Sequence, residues 1–266
     1  MNNPHPKKSL GQNFLTSLSA LSKIIETAGL SSDDIVLEIG PGKGALTAEI
    51  LKSGAKVLAI EKDNELVSFL CEKFQKEVEL GQLIIRNEDI LDLIPEGEPI
   101  IKNKYKIIAN IPYYITGQII KKFLTATHKP TKMVLLVQKE VAERIVAKDD
   151  KESILSLSVK AYGEPKYILK VSRGSFFPAP NVDSAIILID NIKENFKKGE
   201  EKMFFDILHA GFGQKRKFLL GNLVKVFGNK EKLTEIFNKY KIDLKVRAED
   251  LKLEDWRKIT EAIGNL

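Results

Sequence analysis

Residues 110–113, with the sequence Asn-Ile-Pro-Tyr, combine three groups that could recognise an amine on a planar base. The Asn110 side chain and the Pro112 carbonyl each offer an acceptor oxygen, so together they could accept both N–H bonds of an exocyclic amine. The Tyr113 ring could stack on the base. A simple turn after a strand, with proline as the breaker, would explain the segment alone. Three other segments that could bind a ligand are predicted at the same sheet edge, and this favours the functional interpretation.

The segment 38–44, EIGPGKG, lies between an apolar run and a helical pattern, and its three glycines are two residues apart, at 40, 42 and 44. Glycines let the chain turn sharply and let its backbone approach a ligand closely. The N-terminus of the following helix would add free N–H groups. The spacing GxGxG differs from the GxGxxG of dinucleotide-binding loops and from the Walker A loop. The segment predicts either a nucleotide-like ligand at Gly40 or a tight turn without a ligand.

Two acidic residues follow neighbouring apolar runs. Glu61 ends its run about 20 residues beyond the glycine turn, where doubly wound folds hold ribose hydroxyls with a carboxylate. Asp89 follows the next run and could accept a hydrogen bond from the adenine amine of a cofactor. Each could also be an ordinary surface carboxylate. Because the carboxyl ends of parallel strands face one crevice, we expect Glu61, Asp89, the glycine turn and Asn110 to share one site.

Apolar runs and helical patterns alternate between residues 35 and 147, which predicts an α/β fold with a parallel, doubly wound, Rossmann-like sheet. The predicted strands are 35–40, 57–61, 83–86, 106–110 and 133–138. The predicted helices are 17–29, 45–54, 64–75, 117–126 and 139–147. Two further runs, 167–172 and 184–190, are joined by a proline-rich loop and could form a hairpin at the sheet edge.

The composition changes after residue 190. Residues 191–202 are polar and charged, which predicts a linker, and four short amphipathic helical patterns follow. Residues 191–266 contain 17 Lys and Arg against 12 Asp and Glu, whereas residues 1–190 contain 25 against 24. We therefore predict an α/β domain over 1–190 and a small, basic, all-helical domain over 191–266. A basic module favours a polyanionic partner, although a solvated lysine-rich surface has the same composition.

Several other kinds of site and location are disfavoured. The single cysteine, Cys71, lies in a helical pattern and predicts a packed side chain rather than a disulfide or a catalytic thiol. His5, His128 and His209 lack metal-ligand spacing, so we expect no metal site. No apolar run reaches the roughly 18 residues of a membrane span, and the N-terminal segment lacks the apolar stretch of a secretory signal. We expect a cytoplasmic monomer without membrane contact.

The chain resembles the ribosomal RNA adenine dimethyltransferase family. The segments that carry the resemblance are residues 8–15 (KSLGQNFL), the glycine turn 38–44, Glu61, Asp89, 110–113 (NIPY), 176–184 (FFPAPNVDS) and 212–217 (FGQKRK). GQNFL and NIPY together are specific, whereas many methyltransferases share the glycine turn. Ile111 stands where small-subunit enzymes of the family often have leucine, which is a conservative change.

The resemblance implies a class I methyltransferase that uses S-adenosylmethionine. The cofactor contacts it implies are Gln12, Asn13 and Leu15 at the methionine and sulfonium end, Gly40 through its backbone, Glu61 at the ribose, Asp89 at the adenine, and Asn110. At the target base it implies Asn110, Pro112 and Tyr113, with Phe176 stacking on the other face of a flipped adenine.

The resemblance also implies the substrate, two adjacent adenosines in the 3′-terminal hairpin of 16S rRNA, and a role in small-subunit biogenesis. The closest alternative is the large-subunit branch of the family, which gives macrolide resistance and shares GQNF and NIPY. Residues 212–223 are more similar to the small-subunit branch. A non-catalytic RNA-binding factor is disfavoured by the intact NIPY segment and Glu61. A NAD-dependent oxidoreductase is disfavoured by the glycine spacing.

Overall fold

The computed structural model describes residues 4–7, 10–101 and 104–264. These residues form two compact units, the first from residues up to 142 and 163–193, the second from 143–162 and the residues after 193. The predicted domain boundary at 190 lies three residues from the end of the first unit. The predicted first domain also included residues 143–162, which the structure groups with the second unit. A helix in this segment has no counterpart in the elements predicted from the sequence.

The described residues contain nine strands and eleven α-helices, with the following bounds. The strands are β1 (Phe14–Leu15), β2 (Ile35–Ile39), β3 (Lys56–Glu61), β4 (Leu83–Asn87), β5 (Lys106–Asn110), β6 (Lys132–Gln138), β7 (Glu164–Val171), β8 (Phe176–Phe177) and β9 (Ser184–Asp190). The helices are α1 (Leu18–Ala28), α2 (Ala45–Lys52), α3 (Asn64–Lys73), α4 (Gln75–Glu79), α5 (Thr116–Leu124), α6 (Lys139–Val146), α7 (Ile154–Tyr162), α8 (Glu200–Gly211), α9 (Leu219–Phe227), α10 (Lys230–Lys239) and α11 (Leu253–Gly264).

Seven strands form one sheet in the order β4-β3-β2-β5-β6-β9-β7. The pairs from β4 to β6 are parallel, and β9 is antiparallel to both β6 and β7. The central strands are buried along most of their length, as expected for a parallel sheet covered by helices on both faces. The Rossmann-like α/β fold is confirmed, and so is the pairing of the last two predicted strands at the sheet edge.

Four elements lie outside the predicted set. Strands β1 and β8 pair antiparallel in a separate two-stranded sheet. Two residues are too few to show a strand period in the sequence. Helices α4 and α7 also lack a predicted counterpart, whereas the four predicted C-terminal helices correspond to α8–α11. Among the described residues, no helix is both long enough and apolar enough to cross a bilayer.

The second unit packs its helices around Trp256 of α11, which is fully buried. Its ring stacks on Phe212 with 5.6 Å between the centroids. Gly211, the last residue of α8, faces the same indole. A Cβ on Gly211 would overlap Trp256 and would lie 2.6 Å from the Leu219 side chain. This helix contact therefore requires glycine. A substitution at Gly211 measures how tightly the second unit is packed around Trp256.

We expect Gly211→Ala to lower the free energy of unfolding by about 1–3 kcal/mol, because the added methyl group overpacks the core. The matched control is Gly221→Ala in α9, where a Cβ would meet nothing within 4 Å. That variant should gain up to about 1 kcal/mol from the better helix propensity of alanine. Urea denaturation measures both. Equal free energies for the two variants would contradict the tight packing at Gly211.

Candidate active site

A cavity of about 380 Å³ lies in the first unit at the carboxyl ends of β2, β3, β4 and β5. This is the edge where ligands bind in open α/β sheets. The predicted site residues that line it are Gln12, Asn13, Gly40, Glu61, Asp89, Asn110, Pro112 and Tyr113. Its apolar wall includes Ile39, Ile60, Leu66, Ile90 and Leu91. The structure thus brings together eight residues that the sequence placed at one site.

Two predicted site residues, Leu15 and Phe176, do not line the cavity. They lie opposite each other in the β1–β8 pair and are only 7% and 4% exposed, within the same apolar core. Directly paired side chains lie on the same face and successive ones alternate. The opposite face therefore carries Phe14, which lines the cavity, and its partner Phe177, which is 62% exposed. On the side of the site, the aromatic residue of β8 is Phe177.

The glycine turn has the conformation that its residue types predict. Gly40 and Gly42 have φ values of 64° and 58°, in the left-handed region that favours glycine. A Cβ on Gly42 would lie 2.9 Å from the Phe14 ring, whereas at Gly40 the nearest atom would be the Asn110 carbonyl oxygen at 4.0 Å. The turn therefore packs tightly at Gly42 and leaves room for a ligand to approach the backbone at Gly40.

Glu61 ends β3 with a buried carboxyl group on the cavity wall. Its Oε2 accepts the Gly42 N–H at 3.2 Å, and its Oε1 accepts the Asp63 N–H at 2.9 Å. Burial raises the pKa of Glu61, and these backbone donors oppose the rise. Each carboxylate oxygen can accept more than one hydrogen bond. The Glu61 carboxylate is therefore suited to bind ligand hydroxyls between the glycine turn and the start of α3.

Glu38, the first residue of the glycine turn segment, is a second buried acid that was not among the predicted site residues. Burial raises its pKa to about 8, against the opposing effect of Thr47, and the nearby Glu61 charge adds to the rise. Neither carboxyl oxygen makes a hydrogen bond of normal geometry with the described residues. At neutral pH, Glu38 is therefore mainly a neutral acid behind the turn.

Asp89 lies on the cavity wall beyond β4. Its Oδ2 accepts Lys62 Nζ at 2.7 Å, and its Oδ1 accepts the Leu91 N–H at 2.9 Å. The Lys62 ammonium holds the pKa of Asp89 below its usual value. Asp89 is therefore ionised at neutral pH and retains lone pairs for a further donor. Lys62, which also lines the cavity, was not predicted from the sequence.

Asn110 is oriented by a contact with the N-terminal part of the chain. Its Nδ2 donates to the Asn13 carbonyl oxygen at 3.0 Å. A carbonyl can only accept, so this contact determines which end of the amide carries nitrogen. The acceptor Oδ1 is consequently the end that can meet an amine in the cavity. Lys8 and Ser9, which belong to the same N-terminal motif as Asn13, lie outside the described residues.

Pro112 and Tyr113 follow β5 at the same place. The Pro112 carbonyl accepts the Ile115 N–H at 3.2 Å, which leaves its second lone pair for another donor. The Tyr113 hydroxyl is hydrogen-bonded to Ser184 Oγ at 2.7 Å, and Ser184 is fully buried at the start of β9. Burial raises the pKa of Tyr113, so its phenol is neutral. Ser184 belongs to the FFPAPNVDS segment, but its role as the anchor of Tyr113 was not foreseen.

The comparison with protein families gives one match over nearly the whole chain. The family model described as Ribosomal RNA adenine dimethylase matches residues 3–265. A protein from Dehalococcoides mccartyi (strain CBDB1) named Ribosomal RNA small subunit methyltransferase A is 43% identical over 265 residues, which cover 97% of this chain and 89% of that protein. A protein of the same name from Fusobacterium nucleatum subsp. nucleatum is 40% identical over 252 residues, covering 93% and 94%.

Two solved structures are similar over most of their length. A dimethyladenosine transferase from Plasmodium falciparum has a TM-score of 0.75 at 26% identity, covering 92% of this chain and 95% of that one. The 23S rRNA methyltransferase ErmE has a TM-score of 0.78 at 24% identity, covering 95% and 100%, and shows the shared fold. The family model spans every residue whose role was considered above, and the chain belongs to the ribosomal RNA adenine dimethylase family.

Proposed function

We propose that this chain transfers methyl groups from S-adenosylmethionine to N6 of two adjacent adenosines in the 3′-terminal hairpin of small-subunit rRNA. Each adenosine would become N6,N6-dimethyladenosine, as a step of small-subunit biogenesis in the cytoplasm. Membership of the family and the names of the relatives support the reaction and the substrate. The observation that carries the proposal is that Asn110 offers its amide oxygen in the same cavity as Glu61 and Asp89.

The residues of the cavity fit S-adenosylmethionine. Glu61 would bind the ribose hydroxyls, and Asp89 would bind the adenine amine above the apolar wall that contains Ile90 and Leu91. Gly40 would contact the cofactor through its backbone, and Gln12, Asn13 and Asn110, which also line the cavity, would contact its methionine end. Leu15 would act only through the packing of β1 in the core.

When bound, S-adenosylmethionine supplies a methyl group activated by a cationic sulfur. The Asn110 oxygen and the Pro112 carbonyl would accept the two N–H bonds of the adenine amine and so favour a pyramidal nitrogen with an available lone pair. Positive charge develops on that nitrogen during transfer, and preorganised acceptor dipoles stabilise it. Holding the amine in line with the methyl group lowers the entropic part of the activation free energy. No side chain is required as a base, because the methylated amine is acidic and loses its proton to water afterwards.

The base must leave its stack to enter the cavity, which costs a few kcal/mol. Tyr113, held by Ser184, would offset this cost by stacking on one face of the adenine. Phe176 remains a proposed contact for the other face, but its 4% exposure limits direct stacking. We propose Phe177 as the exposed aromatic ring that meets the RNA on that side.

The second unit would bind rRNA through a basic surface of its own. Its α8–α9 connection carries Lys215, Arg216 and Lys217, all exposed, next to Phe218, which is 49% exposed. Cations that neutralise phosphates together with an aromatic face are typical of RNA-binding surfaces. We propose that the chain acts as a monomer on the small subunit.

The proposed function is tested by incubating the protein with labelled S-adenosylmethionine and, separately, unmethylated small subunits or protein-free large-subunit rRNA. The RNA is then digested and the modified nucleoside identified. We expect N6,N6-dimethyladenosine from the small subunit alone. Label in the large-subunit rRNA instead would support the large-subunit branch of the family. Bound cofactor without any transfer would support a binding role.

The first prediction from the site concerns Asn110. Asn110→Ala should lower kcat by at least about a hundredfold, the usual loss when one preorganised electrostatic contact to the transition state is removed. Binding of S-adenosylhomocysteine, measured by calorimetry, should change by less than about threefold, because Glu61 and Asp89 supply the main charged cofactor contacts. Turnover close to that of the wild type would contradict the role of Asn110.

The second prediction concerns Glu61. Glu61→Ala should weaken binding of S-adenosylhomocysteine by about 10–100-fold, because hydrogen bonds to a charged group contribute about 1.5–3 kcal/mol. The matched control is Glu72→Ala on the exposed face of α3, which removes the same charge away from the cavity. Calorimetry measures both affinities. An unchanged affinity in Glu61→Ala, or the same loss in both variants, would count against the ribose contact.

The third prediction separates the two phenylalanines of β8. Phe177→Ala should raise the KM for RNA while leaving the melting temperature nearly unchanged, because its ring is exposed. Phe176→Ala should lower the free energy of unfolding by about 3–5 kcal/mol, as expected for a large core residue. Thermal melts and RNA titrations measure these effects. An unchanged KM for RNA in Phe177→Ala would contradict the proposed contact between Phe177 and the RNA.

A further inference from the structure

Asp63 is a buried carboxylate two residues beyond Glu61, in the turn between β3 and α3, and only 4% of it is exposed. Its Oδ1 accepts Lys7 Nζ at 2.7 Å, and its Oδ2 accepts Gln12 Nε2 at 3.0 Å. Its Oδ1 also accepts the Glu65 N–H at 3.1 Å and so caps α3. Burial favours the neutral acid, but these donors outweigh it and hold the pKa of Asp63 below its usual value.

The donors to Asp63 belong to what we call the N-terminal strap, defined as Lys7 together with residues 10–13. Gln12 Oε1 accepts the Lys7 N–H at 2.7 Å, so Lys7, Gln12 and Asp63 form a closed ring of contacts. Residues 10–13 all line the cavity. At the far end of the strap, the Asn13 carbonyl accepts the Asn110 amide. The strap therefore connects a carboxylate beyond β3 to the amide at the end of β5.

The strength of the connection differs between the two acids that contact Lys7. The Asp63 side chain is 2% exposed and that of Lys7 is 38% exposed, so the carboxylate end of this ion pair is shielded from water. Glu65 also contacts Lys7, at 3.1 Å, but its side chain is 64% exposed. Exposed ion pairs contribute little, whereas shielded pairs with direct charge-assisted hydrogen bonds are stronger. Asp63 is therefore the main anchor of Lys7, and it is the acceptor for Gln12.

We propose that Asp63 is a positioning residue for methyl transfer: it anchors the strap so that Gln12 and Asn13 meet the cofactor and Asn110 presents its oxygen to the target amine. The proposal rests on the proposed function, because its ligand is S-adenosylmethionine. Asp63 lines no part of the cavity, so it acts through the strap. Removing the Asp63 charge therefore has two effects together: it weakens cofactor binding, and it leaves the Asn110 side chain less firmly oriented.

Asp63→Asn tests this role without removing the helix cap, because asparagine caps helices as well as aspartate does. The variant has no charge, and with its one oxygen accepting from Lys7 and the α3 cap, its amide NH2 group faces the Gln12 Nε2 donor instead of an acceptor. We expect the Kd for S-adenosylhomocysteine to rise about tenfold and kcat at saturating cofactor to fall about tenfold. The KM for RNA and the melting temperature should stay close to those of the wild type. A purely structural role would lower the melting temperature without this rise in Kd.

The matched control is Glu65→Gln, which removes the exposed acid beside Lys7 and the same charge, and should leave the Kd unchanged. Lys7→Met leaves the α3 cap intact and should raise the Kd several-fold, so it tests the anchor even if Asp63→Asn misfolds. A wild-type Kd in both Asp63→Asn and Lys7→Met, or an equal rise in Glu65→Gln, would overturn the proposal. Absence of binding by the wild-type protein would contradict the proposed function, and the role of Asp63 with it.

Discussion

The parallel pairing of β2 with β3 and β5 is the constraint on which the site depends. In this register Ile39 lies beside Ile60 and Ala109, so the three strands end side by side. The segments that leave them carry the glycine turn, Glu61 and residues 110–113 into one cavity of about 380 Å³. Antiparallel strands would send alternate loops to opposite edges. The chemistry proposed for the cavity therefore depends first on the common direction of these three strands, because that direction brings the side chains together.

Hydrogen-bond donors surround two buried carboxylates, one on the cavity wall and one in the turn beside it. Glu61 is held by two backbone N–H groups, whereas Asp63 is held by two side chains from the N-terminal strap. Buried carboxylates are costly unless such donors surround them. Because Asp63 also donates its N–H to Glu61, the turn after β3 joins the proposed ribose contact to the strap. Cofactor binding and the orientation of Asn110 thereby depend on one short turn.

Much of this arrangement could be predicted from local sequence patterns. Period and glycine placement predicted the main strands and helices of the Rossmann-like sheet. Local patterns also singled out six residues that line the cavity, whereas Gln12 and Asn13 were expected only from the resemblance to the family. Contacts between distant residues could not be predicted in this way. Asp63 meets Lys7 across 56 positions and Tyr113 meets Ser184 across 71, and no local pattern marks either pair. Whether Phe176 or Phe177 faces the core depends on the register of β8 with β1, which two consecutive phenylalanines leave undetermined.

The most direct test of the proposed site is a crystal structure of the protein with S-adenosylhomocysteine. We expect the ribose hydroxyls within hydrogen-bonding distance of Glu61 and the adenine amine near Asp89. We also expect the methionine portion beside Gln12 and Asn13, with the sulfur directed toward Asn110. A ligand bound elsewhere, or bound in this cavity with its ribose away from Glu61, would contradict the claim that this sheet edge brings cofactor and target amine together.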